Sequence, residues 1–181
     1  MGVVAYADKD KLTGEALEIY RKAEERSGLV TNMVKTLLNS VPAFRALEFY
    51  PVQDALAEKI GKRATYFYCY AISDADACLI CTTVHARYLE EMGIKPEEFE
   101  FTEEEKALIA YGRAMAKDPA NIPDDIYAKM KELFSDEEIV LITAVGCRMV
   151  ASNMFNLALK VDVDEYLYDV DFDKSILDKA E

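Results

Sequence analysis

Two cysteines and a histidine lie within eight residues of this chain, at Cys78, Cys81 and His85. The cysteines form a C-x-x-C pair, and the histidine, the only one in the sequence, follows the second cysteine by four residues. On a helix, with about 100° between successive residues, the three side chains fall within roughly a 60° wedge of one face. Cys81 and His85 are then one turn apart, so thiol and imidazole can touch. Two thiols and a base on one face indicate a redox site or a metal site.

The redox interpretation depends on where each residue lies on that helix. Cys78 would lie in the first turn, where unpaired N–H groups and the helix dipole stabilise a thiolate. His85 could take a thiol proton or hold the thiolate as an ion pair. Such a thiolate attacks a peroxide oxygen and becomes a sulfenic acid, which the second cysteine converts to a disulfide; alternatively, the pair exchanges with another dithiol. Residues three apart on a helix are about 5–6 Å from each other, which suits a disulfide.

Two other interpretations of the same face stay open. The three side chains could hold a metal ion, with Cys69 or an aspartate as fourth ligand, although three ligands on two turns of one helix are unusual for zinc. The chain would then be a non-catalytic metal-binding or interaction protein. The pair could also be inert in a helical core. Thr82 excludes the C-x-x-C-H sequence of haem attachment. We expect the redox site, without a metal or another cofactor, and we predict that Cys69 and Cys147 are small core residues.

Composition limits the class of protein and its partners. The chain has 181 residues, 51% of them hydrophobic, and its 21 basic and 34 acidic residues give a net charge of −13. This predicts a single domain over residues 1–181 and disfavours nucleic acid and anionic membranes as partners. No apolar run reaches the roughly 18 residues of a bilayer-spanning helix, and no secretory leader is recognisable. We therefore expect a cytoplasmic protein, in which a C-x-x-C pair is reactive or metal-bound.

Helical periodicity, caps and stops dominate the rest of the chain. The stretch 64–72 would also suit a buried strand, but no partner strand is recognisable, so a buried helix is predicted. Pro51 predicts a kink or break in the third helix. The predicted helices are 13–28, 30–38, 40–61, 64–72, 76–92, 102–117, 123–134 and 139–160. Capping boxes at 102–105 and 135–138 open the sixth and the eighth of these helices. About eight helices and no sheet give an all-α fold.

Two further features concern the ends of helices. The acidic C-terminal tail, about 161–181, carries too many apolar residues for a free tail, so we expect it to lie on the domain or on a neighbouring subunit. The segments 93–99 and 160–166 are similar, and each follows a long helix. This similarity predicts a duplicated helical hairpin.

The C-x-x-C-x-x-x-H motif, on a helix that follows a buried apolar segment, resembles the alkylhydroperoxidase D-like group within the carboxymuconolactone decarboxylase superfamily. The resemblance covers about residues 12–166. Besides the motif, the matching segments are 29–33, 40–46, 102–108, 134–140 and 153–156. The fold that it implies is an alkylhydroperoxidase D-like helical fold, in agreement with the predicted helices. Family members generally assemble as homo-oligomers, which we expect here.

The resemblance implies a thiol-dependent peroxidase or disulfide oxidoreductase that reduces hydroperoxides and is recycled by a dithiol or thioredoxin-like reductant. Cys81, paired with His85, would attack the peroxide, and Cys78 would resolve the sulfenic acid. The family's proton relay includes a glutamate about twelve residues before the first cysteine, where this chain has Tyr66. Asp74, four residues before Cys78, would share the motif's face on a continuous helix and is the other relay candidate. The decarboxylase branch of the superfamily acts without a C-x-x-C pair. A lyase acting on a small carboxylate lactone is therefore the lesser alternative.

Overall fold

The structure, a computed structural model, describes residues 2–94, 99–172 and 174–180. Over these ranges the chain forms nine α-helices and no strand, which confirms the all-α prediction. The helices are α1 (Gly14–Ser27), α2 (Asn32–Leu37), α3 (Val41–Leu47), α4 (Tyr50–Ile60), α5 (Lys62–Ala75), α6 (Leu79–Glu91), α7 (Glu103–Lys117), α8 (Asp124–Leu133) and α9 (Asp136–Leu159). Short 3-10 helices lie at Lys9–Lys11, Glu165–Leu167 and Lys174–Ala180.

The predicted break at Pro51 separates α3 from α4. Proline fits the first turn of a helix, where its missing N–H needs no partner. Pro42 and Pro51 both lie in first turns, of α3 and α4 respectively. Arg148 of α9 donates to the main-chain oxygen of Glu48 at 2.7 Å, which ties the connection between the two helices to the core. The start of α4 is thereby fixed, and α4 supplies one wall of the site described below.

Helix α5 is central and packs against α4, α6, α7 and α9. Nearly all of its residues from 64 to 72 are buried, which confirms the helix predicted there. The hydroxyl of the fully buried Tyr68 donates to the main-chain oxygen of Ile142 in α9, at 3.0 Å. Gly112 of α7 and Gly146 of α9 lie against Tyr68 so closely that a Cβ at either position would overlap it. These contacts bring α5, α7 and α9 together around one tyrosine.

Capping boxes start α7 and α9, as the sequence predicted. The Thr102 hydroxyl accepts from the Glu105 N–H, and the Glu105 carboxylate accepts from the Thr102 N–H. Ser135 and Glu138 repeat the arrangement at α9. Glu105 is buried and also receives two hydrogen bonds from Arg63 of α5, both at 2.7 Å. This pair joins the first turn of α5 to the first turn of α7.

Helix α9 is, within the described ranges, the one helix long and apolar enough to cross a membrane by length and composition. The core helix of a water-soluble fold can meet the same criterion. Ile142, Val145 and Met149 are buried in the core that α9 shares with α5 and α7. On the opposite face, Val140 and Met154 are 69% and 64% exposed. This helix therefore has one face in the core and one unpaired apolar face.

The acidic C-terminal segment packs on its own chain. Ile176 and Leu177 are fully buried against side chains of α5, α6 and α7. Arg87 of α6 donates to the main-chain oxygen of Tyr166 at 3.0 Å. The segment thereby covers α6, the helix that follows the C-x-x-C pair.

The duplicated hairpin stays a prediction. It was based on the similarity of 93–99 to 160–166, and residues 95–98 lie outside the described residues.

Candidate functional site

Cys78 immediately precedes α6 instead of lying within its first turn. Helix α5 ends at Ala75, and the chain then passes through Ala77, whose φ of 53° lies in the left-handed region. Cys78 is extended (φ −86°, ψ 96°) and is the N-cap residue of α6. The predicted helix start at Asp76 is therefore wrong by three residues, because a left-handed residue cannot continue a right-handed helix. As the N-cap, Cys78 has its sulfur beside the unpaired N–H groups of the first turn.

The two thiols of the motif interact, and their pKa values are shifted in opposite directions. The pKa of Cys78 is lowered, mainly by the hydrogen bond from the Cys81 thiol and further by the N–H groups of Cys81 and Ile80. The pKa of Cys81 is raised by the same contact with Cys78 and by burial. Asn156 of α9 donates from Nδ2 to the Cys81 Sγ at 3.3 Å. The pair therefore favours a Cys78 thiolate that receives the S–H of Cys81.

His85 follows Cys81 by one turn but has other hydrogen-bond partners. Its Nδ1 lies 2.8 Å from the main-chain oxygen of Cys81, and its Nε2 lies 3.1 Å from Nε2 of Gln53. A carbonyl only accepts, so Nδ1 carries the proton and Nε2 accepts from the Gln53 amide. Burial lowers the pKa of His85 to about 4, so the ring is neutral at pH 7. The predicted ion pair between His85 and a thiolate is therefore wrong. The His85 side chain points toward the N-terminus of α6, where its Nδ1 contacts the main-chain oxygen of Cys81.

Gln53 of α4 thus occupies the place beside His85 for which Tyr66 and Asp74 were candidates. Gln53 is buried and also donates to Cys69 Sγ at 3.8 Å. The Tyr66 ring lies 6.4 Å from the His85 ring between centroids, and burial raises its pKa, so it is an aromatic neighbour of His85. Asp74 lies in the last turn of α5, and the turn that ends this helix separates it from α6, which carries His85. Neither Tyr66 nor Asp74 forms a hydrogen bond with His85, whose ring nitrogens bind the Cys81 oxygen and Gln53.

A cavity of about 90 Å³ lies beside Cys81 and His85, whereas Cys78 is not in its wall. Most of the wall is apolar, and its aromatic members are Phe44, Phe49, Tyr50 and Tyr88. Tyr50 and Tyr88 are hydrogen-bonded to each other through their hydroxyls. Its polar members besides Gln53 include Ser152, Asn156 and Asp164. Cys81 is therefore the thiol that a small organic molecule would meet.

The other two cysteines have different surroundings. Cys69 is buried, and burial raises its pKa to about 12, so it stays protonated. Cys147 is exposed on the outer face of α9, which corrects its prediction as a core residue. Its neighbours in the sequence are mostly apolar, but the side chain of Cys147 lies on the exposed face of α9.

The described residues also bear on the metal interpretation. Among them, no three histidine, cysteine, aspartate or glutamate side chains come together in a way that could hold a metal ion. Both nitrogens of His85 are already engaged, and Cys69 bonds to Gln53. The metal interpretation of the motif is not supported by this geometry.

The sequence analysis did not identify Gln53 and Asn156, which contact His85 and Cys81. Gln53 precedes His85 by 32 residues and Asn156 follows Cys81 by 75, so no local spacing connects them. A signal was present in α9, where Ser152, Asn153 and Asn156 interrupt an apolar helix on one side. Buried polar side chains of this kind have hydrogen-bonding roles in most proteins.

Comparison with known proteins gives the fold. No family model matches the chain, and no curated protein matches its sequence. Among solved structures, the chain is similar to an alkylhydroperoxidase AhpD core, which is an uncharacterised peroxidase-related protein from Ralstonia eutropha. The TM-score is 0.76 and the sequence identity 20%, and the match covers 92% of this chain and 94% of the Ralstonia protein.

Two further structures are similar. One is a protein of unknown function from Agrobacterium tumefaciens, proposed to be an antioxidant defence protein AhpD, with a TM-score of 0.61 and 22% identity over 70% of this chain and 93% of that one. The other is the debrominase Bmp8, with a TM-score of 0.70 and 16% identity over 92% of each chain. The chain therefore has the alkylhydroperoxidase D-like helical fold, which confirms the fold expected from the sequence.

Proposed function

We propose that this chain, which has the alkylhydroperoxidase D-like fold, is a thiol-dependent reductase of hydroperoxides that uses Cys81 and Cys78. The observation that carries the proposal is the pair of interacting thiols, of which one lines a cavity. Cys78 has a lowered pKa at the N-terminus of α6, and Cys81 lines an apolar cavity. A thiolate is the reactive form of cysteine, so this pair supplies a nucleophile next to a space for substrate. The same geometry would also allow exchange with another dithiol.

In the first step, Cys78 acts as the base for Cys81. The S–H of Cys81 passes its proton along the hydrogen bond to the Cys78 thiolate, and the resulting Cys81 thiolate attacks the terminal oxygen of the hydroperoxide. The S–O bond forms, the O–O bond breaks, and the leaving alkoxide takes the proton from Cys78 to give an alcohol. Cys81 is then a sulfenic acid, and Cys78 is again a thiolate.

In the second step, the Cys78 thiolate attacks the Cys81 sulfur. The S–S bond forms and hydroxide leaves, taking a proton from solvent to become water. The dithiol has then lost two electrons to the peroxide, and a dithiol or thioredoxin-like reductant restores it by exchange. Cys69, protonated and bonded to Gln53, takes no part.

His85 has a different role from the one that an ion pair would give it. The neutral ring closes the wall beside Cys81, and its Nε2 lone pair is occupied by Gln53 in the resting protein. With Nε2 held by the Gln53 amide, the orientation of the ring is fixed. His85 therefore shapes the space in which a substrate meets Cys81.

The test is oxidation of the reduced Cys147→Ser variant, which removes the exposed thiol from the count. One equivalent of cumene hydroperoxide should remove two of the three remaining free thiols, and peptide mass analysis should find the disulfide between Cys78 and Cys81. If both stay reduced over hours, the redox function is excluded. In the same background, dimedone should label Cys81 of Cys78→Ser as the sulfenic acid. Label on Cys78 of Cys81→Ser instead would reverse the two roles.

A second candidate is reductive dehalogenation, which the apolar and aromatic wall favours; one of the similar structures is a debrominase. Here the Cys81 thiolate would take the halogen from carbon, the carbanion would gain a proton, and Cys78 would displace halide as the disulfide forms. Release of bromide from a brominated phenol, matched to loss of the two thiols, would support it. Oxidation by hydroperoxide without any halide release would support the first candidate.

We also propose that the protein works as a homo-oligomer in the cytoplasm, where reductants keep the pair as thiols. The exposed face of α9 suits contact with a second copy. Large and small residues alternate along it at spacings of three, four and seven, which favours helix packing. The residues of this outer face are Val140, Ala144, Cys147, Ala151, Met154 and Ala158.

A further inference from the structure

Three buried polar atoms in the cavity wall have no hydrogen-bond partner among the residues that the structure describes. They are Ser152 Oγ, Asn156 Oδ1 and Asp164 Oδ2. Their residues are 2%, 2% and 5% exposed. Buried polar atoms in folded proteins almost always have a partner, so three in one wall indicate a ligand that supplies hydrogen-bond donors.

Asp164 and Asn156 each form a hydrogen bond through the other polar atom of the side chain, which determines where the unpaired oxygen lies. Asp164 Oδ1 accepts from the N–H of Asn32 at 2.7 Å, which leaves Oδ2 open. Asn156 donates from Nδ2 to the Cys81 Sγ, so the free Oδ1 is the other end of an amide that already touches the sulfur. A donor group bound to these acceptors would lie close to Cys81. Burial also raises the pKa of Asp164.

The size of the cavity limits what can enter. An engineered cavity of about 150 Å³ accommodates benzene, so a space of about 90 Å³ holds the reacting end of a molecule, and a substituted ring would extend beyond it. A larger groove of about 450 Å³ adjoins it between α1, α3 and α4. The residues that line both spaces are Thr31, Val34, Phe44, Glu48 and Tyr50. The groove and the cavity therefore share a wall, and the groove lies where the remainder of a longer molecule would extend.

We propose that the site binds an elongated apolar molecule by its hydrogen-bond-donating end, which donates to Asp164 or Ser152 next to Asn156 and Cys81, while its body lies in the groove. The reaction of that molecule rests on the proposed function, but its binding does not. For a hydroperoxide, the donor is the O–H of the terminal oxygen that Cys81 would attack.

Two isomers that cannot oxidise thiols test the binding separately from the chemistry. The first, n-octanol, has a hydroxyl donor at one end, and the second, n-heptyl methyl ether, has the same formula and no donor. Isothermal titration calorimetry with the reduced protein should give about tenfold tighter binding of n-octanol, as expected for a hydrogen bond to a charged acceptor. From n-butanol to n-octanol, affinity should rise by up to about fourfold for each methylene that the groove buries.

Two substitutions identify the acceptors. Asp164→Asn keeps an oxygen for the Asn32 N–H but can present a donor to the cavity, and Ser152→Ala removes an atom that has no protein partner. If the proposal is right, the preference for n-octanol over the ether should fall in at least one of the two variants, and that variant identifies the acceptor. Asp171→Asn, which removes an exposed carboxylate from the same C-terminal segment, is the matched control and should keep the preference.

The outcomes separate the two proposals. Equal binding of the two isomers, no saturable binding of either, or an unchanged preference in every folded variant would overturn the inference. Binding as described, in a protein whose thiols resist hydroperoxide, would overturn the proposed function and leave the inference standing. Oxidation without selective binding would do the reverse.

Discussion

Replacing Gln53 by glutamate should change the ionisation of His85 more than any other single substitution. In the protein as it stands, burial lowers the pKa of His85 to about 4 and the Gln53 amide donates to its Nε2. Glutamate has nearly the same shape, but its carboxylate can only accept. Gln53→Glu would therefore favour a proton on Nε2 and convert a neutral hydrogen bond into an ion pair.

The expected shift follows from the distance. At the observed separation of 3.1 Å, two unit charges attract each other by about 5 kcal/mol at an effective dielectric constant of about 20. This corresponds to about four pKa units at about 1.36 kcal/mol each. Burial of the new carboxylate cancels part of the gain. We therefore expect the pKa of His85 to rise by at least about two units, to above about 6.

The assay needs no resonance assignment, because the chain has one histidine. The carbon-bound Cε1 proton of His85 should give one NMR signal, which should not move between about pH 5.5 and 8.5 in the unmodified protein. In Gln53→Glu the same signal should titrate with a midpoint above about pH 6. Gln53→Met, which has similar length and no hydrogen bond, is the control and should leave His85 neutral over this range.

Stability gives an independent reading. Unfolded histidine has a pKa of about 6.5, so the unfolded chain binds a proton that folded His85 rejects until about pH 4. The contribution of His85 to stability is therefore full above about pH 6.5 and falls by up to about 3 kcal/mol as the pH drops to about 4. Gln53→Glu should reduce this loss, as urea unfolding at several pH values would show.

Three results would refute this reasoning. A signal of the unmodified protein that titrates near pH 6.5 would show that His85 is not held neutral by burial. Identical titrations of Gln53→Glu and the unmodified protein would show that position 53 is not its partner. A shift as large in Gln53→Met as in Gln53→Glu would assign the effect to altered packing instead of the carboxylate.

The remaining predictions concern the thiols and the core. In the Cys147→Ser background, iodoacetamide at pH 7 should alkylate Cys78 of Cys81→Ser about tenfold faster than Cys81 of Cys78→Ser. The hydroxyl introduced at position 81 can replace the thiol as the donor that mainly lowers the pKa of Cys78, and the N–H groups of residues 81 and 80 lower it further. In the other variant burial still raises the pKa of Cys81; equal rates would contradict this. With Cys147 present, a short bismaleimide should link two copies of the chain, and recovery of monomer alone would exclude α9 as the interface. Gly146→Ala should lower the free energy of unfolding by about 1–3 kcal/mol, since its methyl group would overlap the Tyr68 hydroxyl. An unchanged urea midpoint would show that the contact can relax.

The features that the sequence predicts well are those set by neighbouring residues. Capping boxes and prolines in first turns depend on residues a few positions apart, and they mark the starts of α3, α4, α7 and α9 correctly. The C-x-x-C-x-x-x-H spacing likewise located the candidate site. The start of α6 was misplaced because Ala77 is left-handed, a conformation that alanine seldom adopts.

The hydrogen-bond partners within the site were beyond local reasoning. Gln53 and Asn156 meet His85 and Cys81 only because α4 and α9 pack beside α6. The resemblance directed attention to Tyr66, at the family's spacing before the first cysteine, but the residue that bonds His85 comes from a different helix. Such contacts depend on the packing of whole helices, which one sequence does not specify.

The position of Asp164 also has a consequence for how the protein is made. A ribosome adds Asp164 about 80 residues after Cys81, which takes about 4 to 16 s at about 5–20 residues per second. During that interval both motif cysteines have left the peptidyl transferase centre, while the last part of the cavity wall does not yet exist. The nascent chain therefore carries its C-x-x-C pair without the surroundings that limit access to it. A compartment rich in small thiols would keep that pair reduced until the C-terminal segment arrives and closes the wall.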